Sequence, residues 1–382
     1  MKIQVPEYVK KVINTLNKNG FEAYVVGGAV RDALLGFTPD DWDVTTNALV
    51  QQTRMCFDRH FDTGIKHGTI TVLTDKKPVE VTTYRIDGEY VDNRRPESVN
   101  FTSDVREDLK RRDFTINAMA YNERDGLLDL YGGAEDLKNK IIRCVGDADV
   151  RFEEDALRIM RAIRFAVRLK FEIEKETFKA INKNRNLLKN ISAERIRTEL
   201  LKMLEADDDL HLLFKSGVAE IILPEVDFEK INMNVPLDRE LKLSALLYDM
   251  SDAKSFFNRL KFDNATKHNV LKILKCSRAE FECTDYSVKK MLGKYGEELF
   301  GKALILMETH GKNAKEYKKV FERVKTEPYC VKHLAVTGND VAKFGFEGEN
   351  IGRVLDALLD KVTENPALNK KEKLEELILE IK

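Results

Sequence analysis

Cysteine is scarce and unpaired in this sequence. The five cysteines (Cys56, Cys144, Cys276, Cys283, Cys330) are odd in number, far apart and free of CxxC spacing. A disulfide framework and a zinc knuckle are thereby excluded, and a reducing compartment fits. The six histidines are scattered as well, with no HExxH or HxxxH pair. Any metal would then be held by carboxylates, which selects Mg²⁺ or Mn²⁺ over zinc. No charge sign dominates, since 64 Lys and Arg face 65 Asp and Glu for a net charge of −1. That excludes a protein basic throughout, though not a local basic stripe. No apolar run approaches the roughly 18 residues of a spanning helix. The opening MKIQVPEYVKKV has no signal-peptide core. The expectation is a soluble protein of the cytoplasm.

Proline is missing from Pro96 to Pro224, and the chain from Glu153 onward reads as strongly helical. The first third is different. Ala23–Val26 is a short apolar strand ending in Gly27-Gly28, and a helical stretch over Ala29–Leu35 is closed by Gly36. Further strands are expected at Asp41–Thr45, Gly68–Leu73 and Pro78–Arg85, and a long mobile loop at Asp87–Leu109. Ser192–Leu204 places Ile196, Leu200, Leu201 and Leu204 at helical spacing. Val226–Arg239 is the best linker. Near the end, one stripe runs through Ile351, Val354, Leu355, Leu358, Leu359 and Val362, and another through Leu374, Leu377, Ile378 and Ile381. These stripes are expected to pack internally. At 382 residues the chain can hold two or three cores, here a mixed α/β head and a long helical body.

Four constellations could carry chemistry. Gly27-Gly28, between a strand and a helix, lets backbone N–H groups approach a phosphate, and Arg31 one turn in could reach the same anion. The plainer alternative is a tight turn. Asp41-Trp42-Asp43 follows, and on a strand residues i and i+2 share a face about 7 Å apart. Two such carboxylates repel unless a cation sits between them, as in two-metal phosphoryl-transfer sites. Glu80 could be a third carboxylate or a solvent-facing glutamate. Arg111-Arg112 precedes an apolar segment and could grip phosphate. It could equally be a solvated face, with Glu107 and Asp108 close by. Last come Asp155, Arg158, Arg161 and Arg164, every third residue along one helix. Three arginines among Leu157, Ile159, Met160 and Ile163 are costly to bury without an anionic partner.

That last group carries a chemical selectivity. Cytosine and adenine present an amino donor beside a ring-nitrogen acceptor, whereas guanine and uracil present a carbonyl acceptor beside an N–H donor. An accept-only Asp155 next to a donate-only Arg158 matches C and A and mismatches G and U. Such a pair could select CTP and ATP without a template.

In this order, VGGAVRDALLG, DWDVTT, VEVTTYRIDGEYVDNRRPE, RRDFTINAMA and EEDALRIMRAIRFA resemble the class II tRNA nucleotidyltransferases, the CCA-adding enzymes of bacteria and eukaryotes. SAERIRTELLKML and ENPALNKKEKLEEL extend the likeness over most of the chain. The resemblance implies an α+β fold: a small mixed-sheet, polymerase-β-like nucleotidyltransferase head (1–145), then an all-α neck that recognises the base (146–205), and a helical body and tail for tRNA (206–382). It implies Mg²⁺ at Asp41 and Asp43, and nucleotide contacts from Gly28, Arg31 and Arg112. Asp155 and Arg158 would read the base, with Arg161 and Arg164 completing the pocket. The partners implied are the tRNA acceptor arm and elbow, CTP and ATP.

The loop Asp87–Leu109, which includes DGEYVDNRRPE, resembles the flexible element that in this family is linked to switching from CTP to ATP, and its presence favours complete CCA addition. Bacterial poly(A) polymerase shares the head, but its basic C-terminal extension is missing here. CC-only or A-only addition is a further alternative. An HD-type phosphohydrolase is disfavoured because Tyr248 stands where that motif needs His. A non-catalytic RNA-binding protein would be expected to lose Asp41 or Asp43.

Overall fold

The computed structural model describes residues 3–88, 90–91, 95–96, 99–206 and 210–381. Contacts divide the chain into two compact units, Met1–Pro224 and Glu225–Lys382. The expected linker therefore begins just past the division.

In the first unit, α1 (Glu7–Lys18) buries Val9, Val12, Ile13 and Leu16, the i, i+3, i+4, i+7 face of an amphipathic helix. The strands are β1 (Ala23–Val26), β2 (Asp43–Thr46), β3 (His60–Gly64), β4 (Thr69–Thr74), β5 (Lys77–Thr83), β6 (Arg85–Asp87), β7 (Tyr90–Val91), β8 (Arg95–Pro96), β9 (Val99–Phe101), β10 (Met119–Asn122), β11 (Gly126–Asp129), β12 (Ile141–Ile142) and β13 (Glu172–Ile173). Among the described residues seven of them form one mixed sheet in the order β11-β10-β1-β2-β5-β4-β3. Within that sheet only β2 and β5 pair in parallel, and β12 and β13 form a separate short parallel pair. The helices are α2 (Gly28–Leu34), α3 (Val50–Cys56), α4 (Val105–Lys110), α5 (Gly133–Asn139), α6 (Ala148–Glu154), α7 (Leu157–Leu169), α8 (Lys175–Asn184), α9 (Ala193–Leu204), α10 (His211–Lys215) and α11 (Ala219–Ile222).

Two expectations are corrected here. The second strand starts at Asp43, so Asp41 lies ahead of it. Its neighbours explain why: Gly27 turns β1 away, and the β5 position that would face Asp41 is Pro78, which has no N–H to give. The segment expected to be a loop over 87–109 carries short ladders and a helix among its described residues. β6 pairs with β9, β7 pairs with β8, and α4 follows, its N-cap Asp104 accepting from the Arg106 N–H. Within that segment, residues 89, 92–94 and 97–98 of the expected switching element lie outside the described residues.

The second unit is helical among its described residues. Both C-terminal stripes meet in one apolar cluster, where Val354, Leu358, Val362, Leu374 and Ile378 are buried together. They pack within the unit, as expected. No described helix is long and apolar enough to cross a membrane.

Candidate functional site

Gly27 joins β1 to α2 with φ 72° and ψ −130°, a backbone that a side chain rarely permits. A Cβ there would stand 2.9 Å from Arg112 Nη1, whereas one on Gly28 would meet Arg31 Nη2 at an ordinary 3.5 Å. Of the two glycines expected to form this turn, Gly27 is the one whose backbone needs glycine. One turn on, the buried Arg31 donates from Nη1 to Asn117 Oδ1 (2.7 Å) and from Nε and Nη2 to Asp32 (2.7 and 2.9 Å).

Asp41 and Asp43 are exposed while Trp42 between them is buried, so the two-residue alternation runs on ahead of the strand. Asp43 stands directly opposite Glu80 in the parallel ladder. Its carboxyl is pushed above the ordinary aspartate value, first by the surrounding protein and then by the charge of Glu80. Arg112 pulls it down and Asp41 adds a further push upward. Among the described residues no ion pair satisfies Asp41, Asp43 or Glu80, and no group of three His, Cys, Asp or Glu is placed to hold a metal ion. Hard oxygen donors with unbalanced charge and exposed to solvent fit a cation that keeps waters and takes ligands from a phosphate, as Mg²⁺ does.

Arg111 and Arg112 are not a solvated face. Asp108, fully buried, accepts from Arg111 Nε and Nη2 (3.0 and 2.8 Å), Arg112 Nη2 (3.4 Å) and Thr45 Oγ1 (3.2 Å). Burial opposes that charge, but the arginines outweigh it and hold the carboxyl below its usual range. Arg112 Nε is itself buried with no hydrogen-bond partner. Arg112 thus lies against Gly27, acts on Asp43, and keeps an open donor.

The remaining candidates cluster at the junction of α6 and α7. Asp155 sits between the two helices and not within one. It accepts from the Leu157 N–H (3.1 Å) and from Arg195 Nη1 and Nη2 (3.2 and 2.8 Å). Arg158 Nη1 donates to Glu154 (2.6 Å) and Nη2 to the Arg111 carbonyl (2.9 Å). Arg161 Nε donates to Asp113 (2.8 Å), and Arg164 to the buried Glu199. Burial would raise the Asp113 carboxyl, but Arg161 and Asn117 bring it down to about 2. The anion that three interior arginines require is therefore supplied by Glu154, Asp113 and Glu199, without a ligand.

Sequence reasoning gave no role to Asn117, Arg195 or Glu199, and it named Asp108 only as a neighbour of a possible solvated face. The i, i+4 spacings Asp108–Arg112 and Glu154–Arg158 were the available signal. Arg195 and Glu199, far along the chain, left none. In the second unit Tyr248 stacks on His310 with ring centroids 3.5 Å apart, while Arg278 donates to the Leu247 and Met250 carbonyls. That spot is filled by aromatic and backbone contacts.

Residues 23–143 match the family described as the poly A polymerase head domain, 170–229 the RNA and SrmB binding site of polymerase A, and 237–378 the tRNA nucleotidyltransferase domain 2. A CCA-adding enzyme of Lactobacillus helveticus is 53% identical over 192 residues, covering 50% of this chain and 48% of that one. Over that match the chain spans about half the length of the relative. The CCA-adding enzyme of Enterococcus faecalis is 36% identical over 384 residues, 95% of this chain and 93% of its own. The crystal structure of the Bacillus stearothermophilus CCA-adding enzyme in complex with CTP superposes with a TM-score of 0.81 at 31% identity, covering 99% and 98% of the two chains. This chain belongs to the CCA-adding enzymes of bacterial type, in the nucleotidyltransferase superfamily.

Proposed function

We propose that the protein adds C, C and A to the 3′ end of tRNA from CTP and ATP, without a template and with release of pyrophosphate. The observation that carries this reading is the convergence of an unbalanced carboxylate pair, Asp43 opposite Glu80, with Arg112 and the Gly27–Gly28 turn. A carboxylate pair and an arginine with an open donor beside backbone amides suit a nucleoside triphosphate. The CTP-bound relative of the same fold supports the nucleotide class.

Nucleotidyltransferases use divalent metal ions, and we propose Mg²⁺, held by Asp41 and Asp43. When bound, that ion supplies Lewis-acid stabilisation of phosphoryl oxygens and a more acidic 3′-hydroxyl. The chain's own residues do the rest. Arg112, through its open Nε–H, neutralises triphosphate charge as the tRNA 3′-oxygen attacks the α-phosphate in line and pyrophosphate departs. Gly28 brings its amide close to the nucleotide, and Arg31 fixes the start of α2. Asp155 and Arg158 read the base, Asp155 accepting the amino group of C or A. A carboxylate has about four lone-pair sites, so the Arg195 contacts leave capacity for a base. Arg161 and Arg164 complete the wall.

The division of labour proposed is a catalytic head over 1–145, a base-reading neck over 146–205 and a tRNA-holding body and tail over 206–382. The setting proposed is the cytoplasm, consistent with five free cysteines.

The test is incorporation from each NTP, with Mg²⁺, onto transcripts of one tRNA ending before CCA, at C, or at CC. Product length is read to the nucleotide. C, C and A followed by a stop is the expected result. A halt at CC, A added only to the CC-ended tRNA, or a long A ladder would replace it with CC-only, A-only or poly(A) synthesis.

A further inference from the structure

Phe165, on α7, is only 4% exposed. Three guanidiniums lie over its ring: Arg164 at 4.2 Å from the centroid, Arg31 at 5.0 Å and Arg161 at 5.3 Å. The ring of Phe114, two residues past Arg112, meets it edge-on at 5.8 Å and 81°. Each arginine also has a carboxylate from a different element: Asp32 on α2, Asp113 ahead of β10, and Glu199 on α9. A carboxylate tether fixes one end of a guanidinium, while a ring face fixes where its plane lies. Three like charges crowded around one point also repel, and the negative face of an aromatic ring offsets that repulsion in a way an aliphatic side chain does not.

We propose that Phe165 is a positioning residue for the nucleotide site. Its ring holds Arg31 against Gly28 and the phosphate-facing turn, and it keeps Arg161 and Arg164 in place on the base-reading helix. The wall that would contact the triphosphate and the wall that would contact the base are thereby tied through one side chain. This rests on the proposed nucleotidyl transfer, so wild-type incorporation is measured first. Failure there removes the function, not the role of the ring.

The informative variants are Phe165→Leu, which fills similar space without a ring, and Phe165→Tyr, which keeps one. Volume-conserving apolar swaps are generally tolerated by folded cores. Phe165→Leu is expected to raise KM for CTP and for ATP about tenfold, with kcat within about threefold and KM for tRNA unchanged. Phe165→Tyr restores most of the nucleotide KM. A stability control is Phe256→Leu, in an aromatic cluster with Phe257 and Phe262 in the second unit. It is expected to lower Tm and leave nucleotide KM alone.

Arg31→Lys keeps the charge but loses the planar stack, and it carries the test should Phe165→Leu fail to fold. Where both fold, the double variant is expected to be no worse than the poorer single one, the non-additivity of residues acting through each other. The proposal is overturned by an unchanged nucleotide KM in Phe165→Leu, by equal loss in the Leu and Tyr variants, by a change confined to tRNA, by additive effects, or by Arg31→Lys with wild-type KM.

Discussion

A single methyl group should separate the two glycines of the Gly27–Gly28 turn. Gly27→Ala forces a side chain onto a residue at φ 72° and ψ −130°. Holding a non-glycine residue in such a region costs about 1–3 kcal/mol. The new Cβ would also stand 2.9 Å from Arg112 Nη1. That atom is the far end of a flexible side chain whose hold on Asp108 is a long 3.4 Å contact, so it can swing away at little cost. Nearly all of the stability loss is therefore backbone strain. For the first unit, Met1–Pro224, average unfolding entropies imply roughly 0.5 kcal/mol per degree. The expected fall in Tm is then about 2–6 °C. Gly28→Ala has no positive φ and meets only an ordinary 3.5 Å neighbour, so its Tm should stay within about one degree of wild type. Scanning calorimetry of the ligand-free proteins reads this difference before any ligand can obscure it. Gly27→Ala should additionally raise the KM for CTP, because the displaced guanidinium is the one beside Asp43. Equal melting of the two variants, or a less stable Gly28→Ala, refutes the assignment of the turn to Gly27.

Asp43→Asn and Asp41→Ala should each abolish incorporation while tRNA binding, read by anisotropy, stays intact; normal turnover in Mg²⁺ removes the metal assignment. Asp155→Ala should admit GTP and UTP more than it weakens tRNA affinity. Arg195→Ala should act in the same direction, since both its Nη atoms hold that carboxylate. Continued exclusion of GTP and UTP by both variants overturns the base-reading account. The Asp113 carboxyl is held at about 2 against an ordinary 3.8, so the unfolded chain binds the proton first as pH falls. The stability this carboxylate contributes, about 2 kcal/mol, is complete above pH 4 and lost as pH falls towards 2. Asp113→Asn should flatten that part of the stability–pH curve and lower stability at pH 7 by leaving Arg161 unpaired. An unchanged acid limb contradicts it.

Much of the head was legible because its signals are local. The apolar run Ala23–Val26, the glycine pair and the alternation through Asp41, Trp42 and Asp43 each lie within a few residues, and the structure brings the glycine pair and the aspartates to one end of the central strands β1 and β2. β10 and β11 were not foreseen. β10 is buried at all four of its residues and so shows no alternation, while β11, half-buried throughout, has no exposed face to reveal a period of two. The extent of β2 depended on what lies beside it, Gly27 on one flank and Pro78 on the other, which no window of sequence displays. The long polar segment looked like a loop because its ladders are two and three residues long, too short for periodicity to register. Asp108 illustrates the same limit at the site. Next to Glu107 and Lys110 it reads as surface charge, and only Thr45 and the two arginines folding over it make it an interior anchor.

The arginines show why charge arguments from sequence stop short of a ligand. Interior guanidiniums do need anions, and that inference held for Arg158, Arg161 and Arg164. Their anions are Glu154, Asp113 and Glu199, drawn from three separate parts of the chain. A balanced arginine can shape a pocket without any nucleotide present, so its burial says nothing about substrate. Imbalance is the more telling observation. Asp41, Asp43 and Glu80 carry negative charge that no described ion pair answers, and Arg112 keeps a buried N–H with nothing to donate to. Unpaired buried donors and crowded like charges both cost folding free energy, on the order of 1–3 kcal/mol for an orphaned polar group. One cation and one phosphate would relieve both at the same place. The acid edge and Arg112, and not the richer arginine stripe of α7, are therefore where nucleotide binding should be most strongly felt. A rise in Tm on adding Mg²⁺ with CTP should shrink more in Arg112→Ala than in Arg164→Ala when each shift is taken against that variant's own ligand-free Tm. The reverse order would return the triphosphate to α7.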